Sequence, residues 1–149
     1  MTATAHAVLG TVIAAKFGNP YLAVPLALVS HFAADLVPHW DAGTNRRKKS
    51  TERLFWESFI DVVAGFVVSY GIVTLLFPQT DLWYAFLIII VAQLPDWLMS
   101  PYLFFKSKFP LFKMAYDSQK AFNSKLDKPW GIINQVAVVA GAIIFARSF

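Results

Sequence analysis

Long uncharged, strongly apolar stretches constrain this chain more than any other feature. The stretch from Val62 to Thr80 has no charged side chain, and neither does the stretch from Leu82 to Leu94. A water-soluble fold would have to bury both, whereas a bilayer accepts apolar helices of about 20 residues. Only 15% of the residues are charged, and these are confined to short blocks between the apolar stretches. The sequence therefore predicts an all-α integral membrane protein, with a single helical domain over residues 1–149.

Turn and proline signals divide the chain into five hydrophobic segments. We predict them at residues 2–17, 21–37, 52–77, 82–99 and 129–146. The first two are short for a full crossing, and a helical hairpin that enters the bilayer without crossing it is an alternative. Ser50 or Thr51 is predicted to cap the third segment, and Ser100-Pro101 to end the fourth. Residues 102–128 mix aromatic side chains with six lysines, which favours an amphipathic stretch on the membrane surface.

The basic residues lie mainly in the loops after the second and fourth segments, and include the run Arg46–Lys49. The positive-inside rule places both loops in the cytoplasm, and five crossings then place Met1 there as well. We therefore predict a multi-pass membrane protein with its N-terminus in the cytoplasm. Topology accounts for the net charge of +4 without a nucleic-acid partner. Membrane lipid is the predicted partner, and a homo-oligomer stays open.

Ionisable residues within or beside the apolar segments gather toward the predicted cytoplasmic face. They are His6, His31, Asp35, His39, Asp41, Glu57, Asp61 and Asp96. A charged side chain within a membrane helix costs at least about 2.5 kcal/mol, so such residues tend to mark functional sites. Asp61 lies roughly 15 Å into its helix and is the most informative of them. We predict Asp61 and Glu57 as catalytic carboxylates, although Glu57 could be an exposed first-turn residue and Asp96 a cap.

The spacing of histidines and aspartates favours metal binding. His31 and Asp35 are four residues apart, so they project from one helix face a turn apart. Pro38 ends that helix and redirects His39 and Asp41 toward the same end. Without cysteine, nitrogen and oxygen ligands predict a divalent metal, zinc first, with manganese or iron as alternatives. The predicted ligands are His6, His31, Asp35, His39, Asp41 and Asp96. The alternative is a hydrogen-bonded pair that locks helices together.

The opening Thr4-Ala5-His6-Ala7-Val8-Leu9-Gly10 and the block His31-Phe32-x-x-Asp35-x-x-Pro38-His39-x-Asp41 resemble small bacterial inner-membrane-associated, metal-dependent hydrolases. The resemblance covers mainly the first third of the chain and extends locally to zinc-dependent phospholipase C and related nucleases. It implies ligand roles for His6, His31, Asp35 and His39, although His39 follows Pro38 one residue tighter than in that pattern. It also implies a histidine pair after the fourth segment, where this chain has Lys113-Met114-Ala115-Tyr116-Asp117.

These patterns predict a membrane-embedded, metal-dependent hydrolase that acts on a phosphoester or lipid-like substrate at the cytoplasmic face. Two alternatives stay open. One is a proton-coupled transporter or carrier that uses Asp61 and the histidines as a relay. The other is a non-enzymatic membrane assembly protein, for which the same histidines would be dispensable.

Overall fold

A computed structural model of the protein describes residues 1–148, which form helices and no β-strand. The predicted all-α class is therefore confirmed for these residues. The six α-helices are α1 (Ala3–Lys16), α2 (Pro20–Leu36), α3 (Thr51–Leu76), α4 (Leu82–Phe105), α5 (Pro110–Phe122) and α6 (Trp130–Ser148). A 3₁₀ turn at Arg46–Lys48 precedes α3. Within residues 1–148, α3, α4 and α6 are long and apolar enough to cross a membrane, whereas α1 and α2 are shorter.

Side-chain caps fix the starts of the helices. The Ser50 hydroxyl accepts a hydrogen bond from the Arg53 amide at 3.1 Å, which confirms Ser50 as the cap of α3. In the same way Asp81 caps α4, with 2.7 Å between its carboxylate and the Tyr84 amide. These caps pair amides that have no partner within the helix.

The predicted end of the fourth segment at Ser100-Pro101 was wrong, because α4 continues to Phe105. Pro101 has no N–H to donate to the Trp97 carbonyl, but the Ser100 hydroxyl donates to that carbonyl at 2.8 Å. The Trp97 carbonyl therefore still accepts a hydrogen bond, although Pro101 cannot supply one. The helix ends at Phe105, and the C-cap residue Lys106 has a left-handed φ of 55°. The predicted surface stretch thus begins later, and its helical part is the amphipathic helix α5.

Helix α1 is the buried centre of the bundle and packs mainly against α3 and α4. Small residues allow these helices to approach closely. A Cβ atom added at Gly10 would lie 2.9 Å from the Ala92 Cβ, and one added at Gly65 of α3 would lie 3.2 Å from the Ala7 Cβ. Membrane helices commonly pack through such small residues. Helix α1 is short and carries polar side chains, and the longer helices α3 and α4 therefore shield it.

The outer faces of α3 and α6 expose large apolar side chains. Val67 and Leu75 on α3 are 68% and 81% exposed, and Val136 and Ile144 on α6 are 59% and 65% exposed. A soluble protein rarely exposes continuous apolar faces of this kind. The two helices therefore present the surface expected of helices that face lipid.

The close approach of α1 to α4 yields a stability prediction. We expect Gly10→Ala to lower the thermal unfolding midpoint in detergent, since overpacking costs about 1–3 kcal/mol. Gly71→Ala is the matched control, because no atom lies within 4 Å of a Cβ added there. Alanine is about 1 kcal/mol better than glycine within a helix, so this control should hold or raise the midpoint. Equal midpoints for the two variants would contradict the predicted crowding.

Candidate metal centre

Three histidines and a carboxylate are buried together where α1 begins and α2 ends. His6 lies in the first turns of α1, His31 and Asp35 in the last turns of α2, and His39 in the loop that follows. Each of these four residues is at most 1% exposed. Asp96 of α4 joins them, with a side chain that is 26% exposed. The structure thus brings together all six predicted metal ligands, since Asp41 also lies 3.7 Å from His39 Nε2.

Asp35 lies at the centre of the histidines. Its Oδ1 atom is 3.2 Å from His6 Nε2 and 3.6 Å from His39 Nε2, and its Oδ2 atom is 3.5 Å from His31 Nε2. The amino group of Met1 also contacts Asp35 Oδ1. A buried carboxylate needs such a hydrogen-bond donor, because its charge is poorly solvated there. The three rings are therefore grouped around the Asp35 carboxylate, which is within hydrogen-bond distance of His6 Nε2.

Backbone carbonyls orient two of the three imidazoles. His31 Nδ1 donates to the Ala92 carbonyl at 2.7 Å, and His39 Nδ1 donates to the Val37 carbonyl at 2.8 Å. With the proton on Nδ1, the lone pair of Nε2 in each ring is directed into the cluster. Metal-binding histidines have this arrangement, in which the second ring nitrogen donates to a carbonyl or carboxylate.

The donor atoms fit a divalent metal. One ligand atom from each of His6, His31 and Asp96 lies within 4.8 Å of the others. His6 Nδ1 and His39 Nε2 are buried without a hydrogen-bond partner in residues 1–148. Buried polar atoms are rarely left unpaired, and an ion is one way to satisfy them. Imidazole nitrogen and carboxylate oxygen together suit zinc, manganese or iron.

Gln119 is the site residue that the sequence analysis missed. It is 2% exposed, and its Nε2 donates to His31 Nε2 at 2.7 Å and to Asp96 Oδ1 at 2.6 Å. Its Oε1 is buried without a partner in the described part of the chain. Rotation of the amide would present this oxygen, which is a donor that divalent metals accept. Gln119 thus links two members of the metal-binding group.

Helix α5 supplies Gln119 from the region where the family resemblance implied histidines. Asp117, the other candidate there, is instead an exposed residue that pairs with Lys113 at 2.5 Å. The signal for Gln119 was its position in an amphipathic helix, since it shares one face with Ala115 and Phe122. A polar side chain on the otherwise apolar face of a helix needs a buried partner.

Asp41 lies beside the cluster and is held by its own partners. Its Oδ1 accepts hydrogen bonds from the Thr44 hydroxyl at 3.0 Å and the Lys125 ammonium at 3.1 Å, and its Oδ2 is 3.7 Å from His39 Nε2. Burial by itself would raise the pKa of this carboxyl. The Lys125 ammonium outweighs burial and holds the pKa of Asp41 well below its usual range. Asp41 is therefore an ionised carboxylate next to the histidines.

The two predicted catalytic carboxylates, Asp61 and Glu57, form their hydrogen bonds and ion pairs with groups outside the histidine cluster. Asp61 accepts hydrogen bonds from the Ala3 amide at 2.6 Å, the Thr4 amide at 3.2 Å and the Thr4 hydroxyl at 2.7 Å. It therefore caps the start of α1. Glu57 pairs with Lys49 at 2.5 Å and Arg53 at 2.8 Å. Proton transfer by Asp61 or Glu57 stays a prediction.

The site is thus built from four separate parts of the chain: α1, the end of α2 with its loop, α4 and α5. The loop is fixed by backbone pairing, because the His39 amide donates to the Ser124 carbonyl at 3.0 Å and the Leu126 amide donates to the His39 carbonyl at 2.7 Å. The contacts among the histidines, the carboxylates and Gln119 indicate what this site can bind. Comparisons of the chain with models of protein families, with curated proteins and with solved structures found no match.

Proposed function

We propose that this protein is an integral membrane hydrolase that binds a divalent metal through His6, His31 and Asp96 and cleaves a phosphoester. The observation that supports the metal most directly is the clustering of these three donors within 4.8 Å, with the His31 ring oriented by a carbonyl. Zinc is the first candidate, with manganese and iron next. The basic loops favour a cytoplasmic site in a bacterial inner membrane, with the N-terminus on the same side.

A divalent metal at this site would lower the pKa of a water molecule and stabilise negative charge on the ester oxygens. The residues of the chain would supply orientation and proton transfer. The carbonyls of Val37 and Ala92 orient His39 and His31, and the predicted proton-transfer groups are the carboxylates of Asp61 and Glu57. The water oxygen forms a bond to phosphorus, the bond to the leaving oxygen breaks, and the released alcohol takes up a proton.

The proposal is tested on protein purified in detergent. We expect plasma mass spectrometry to find about one or two metal ions per chain, as helical carboxylate and histidine sites hold. Hydrolysis of bis(p-nitrophenyl) phosphate should stop after chelation and return when zinc, manganese or iron is added. Asp96→Asn should lower both metal content and hydrolysis, whereas the control Asp117→Asn on the exposed face of α5 should change neither.

A protein that stays free of metal after zinc, manganese and iron are added would refute the proposal. Proton uptake into proteoliposomes by that metal-free protein would then favour the transporter alternative. Bound metal without hydrolysis of any phosphoester would retain the metal centre and reject the enzymatic activity.

A further inference from the structure

A cavity of about 440 Å³ opens beside the metal centre, among α3, α4 and α5. Its volume falls within the range of about 300–1,000 Å³ that is typical of small-molecule sites. Most of its wall is apolar and includes Leu54 of α3 and Leu103 of α4. At the metal centre it is lined by Asp41, Asp96 and Gln119. The cavity therefore connects a polar, potentially reactive end to an apolar interior.

Aromatic side chains of two long apolar helices form the outer wall of this cavity. Phe55 of α3 contacts Phe104 of α4 edge to face, with 5.4 Å between the ring centroids, and stacks on Phe59 with 6.4 Å between centroids. Phe55 and Phe59 line the cavity and are nevertheless 37% and 50% exposed on the outside of the bundle. Since α3 and α4 are long and apolar enough to cross a membrane, this wall faces the region where lipid chains would lie.

Exposed cations line the cavity together with three carboxylates. Of these carboxylates, Asp41 pairs with Lys125, whereas Asp61 and Asp96 accept hydrogen bonds from neutral groups at the start of α1 and on Gln119. The lining cations include two exposed residues, Arg46 and Lys120. Neither of them forms an ion pair with a carboxylate within residues 1–148. Unpaired cations at the mouth of a cleft attract anionic ligands.

We propose that this cavity binds an anionic phospholipid, with its phosphate near Arg46 and Lys120 and part of an acyl chain between α3 and α4. The lipid would enter from the membrane past the Phe55 and Phe104 rings. That the bound lipid is also the substrate rests on the proposed function, whereas the binding itself does not require metal. Water-soluble phosphoesters lack the apolar part that fills the cavity, so they should bind more weakly.

The binding is tested by native mass spectrometry of the detergent-solubilised protein, with and without zinc, titrated with dioleoyl phosphatidylglycerol. We expect one lipid per chain, retained at concentrations about tenfold lower than those needed for dioleoyl phosphatidylcholine. Ser58→Trp places a large ring in the cavity and should weaken retention at least tenfold. Val67→Trp, on the outward face of the same helix, is the control and should bind as the wild type does.

A second variant covers the case in which Ser58→Trp fails to fold. Lys120 is exposed on α5, so Lys120→Glu should fold and should abolish the preference for phosphatidylglycerol. Equal retention of the two lipids by the wild type, equal retention by Ser58→Trp and Val67→Trp, or displacement of the lipid by equimolar glycerol 3-phosphate would overturn the inference. Lipid retention by a protein that never binds metal would reject the proposed function alone. Stoichiometric metal without lipid selectivity would reject the cavity inference alone.

Discussion

His31→Ala is expected to lower the metal affinity of the protein by about 100-fold or more. Loss of an outer partner of a metal ligand typically costs about 10- to 100-fold, and removal of a ligand should cost at least as much. The His31 ring is the one that contacts most of the centre. Its Nε2 is 3.5 Å from Asp35, 3.9 Å from Asp96 and 2.7 Å from the Gln119 amide. The alanine variant removes the nitrogen that these groups share.

The measurement is metal content after dialysis against a weak chelator, followed by titration with zinc. Asp117→Asn is the control, since that carboxylate is exposed and pairs only with Lys113 among the residues of the described chain. We expect the control to retain the wild-type stoichiometry. Wild-type metal content in His31→Ala, with the fold intact by circular dichroism, would show that the histidines are a structural network. That outcome would favour the alternative in which polar residues lock helices together.

Asp61→Ala is expected to destabilise the protein by about 2–4 kcal/mol, since it leaves the Ala3 and Thr4 amides at the start of α1 without their acceptor, while the Thr4 hydroxyl keeps only the Asp61 backbone carbonyl. Because His6 lies in the next turn of α1, fraying there should also weaken metal binding. The thermal unfolding midpoint and the zinc affinity of the detergent-solubilised variant measure the two effects. Both should fall together.

Asp61→Asn separates the capping role of Asp61 from a catalytic one. Asparagine keeps one of the two acceptor oxygens, so we expect the bonds to Thr4 to return and the Ala3 amide to stay unpaired, with about half of the lost stability and metal affinity recovered. Hydrolysis should return with them if Asp61 only positions α1. A variant with wild-type stability and metal content but no hydrolysis would instead identify Asp61 as a proton-transfer group, as its depth in the sequence predicted.

Several members of the candidate metal centre could be predicted because their spacing is a local property. The four-residue interval between His31 and Asp35 puts both on one helix face, and Pro38 turns His39 back toward them. This spacing within one helix does not depend on how the helices pack against one another. Gln119 was missed because its role depends on α5 docking across α2 and α4, which no local pattern specifies.

The sequence by itself determined that the chain is helical and that α3, α4 and α6 can span a membrane, because apolar composition and cap residues act over single turns and segments. Only the tertiary structure decided which carboxylates meet the histidines. Asp96 reaches them since α1 approaches α4 closely at Gly10, whereas Asp61 is used by the start of α1. The physical reason is that the partner of a buried charge depends on how helices distant in sequence pack, and side-chain spacing within one helix does not specify that packing.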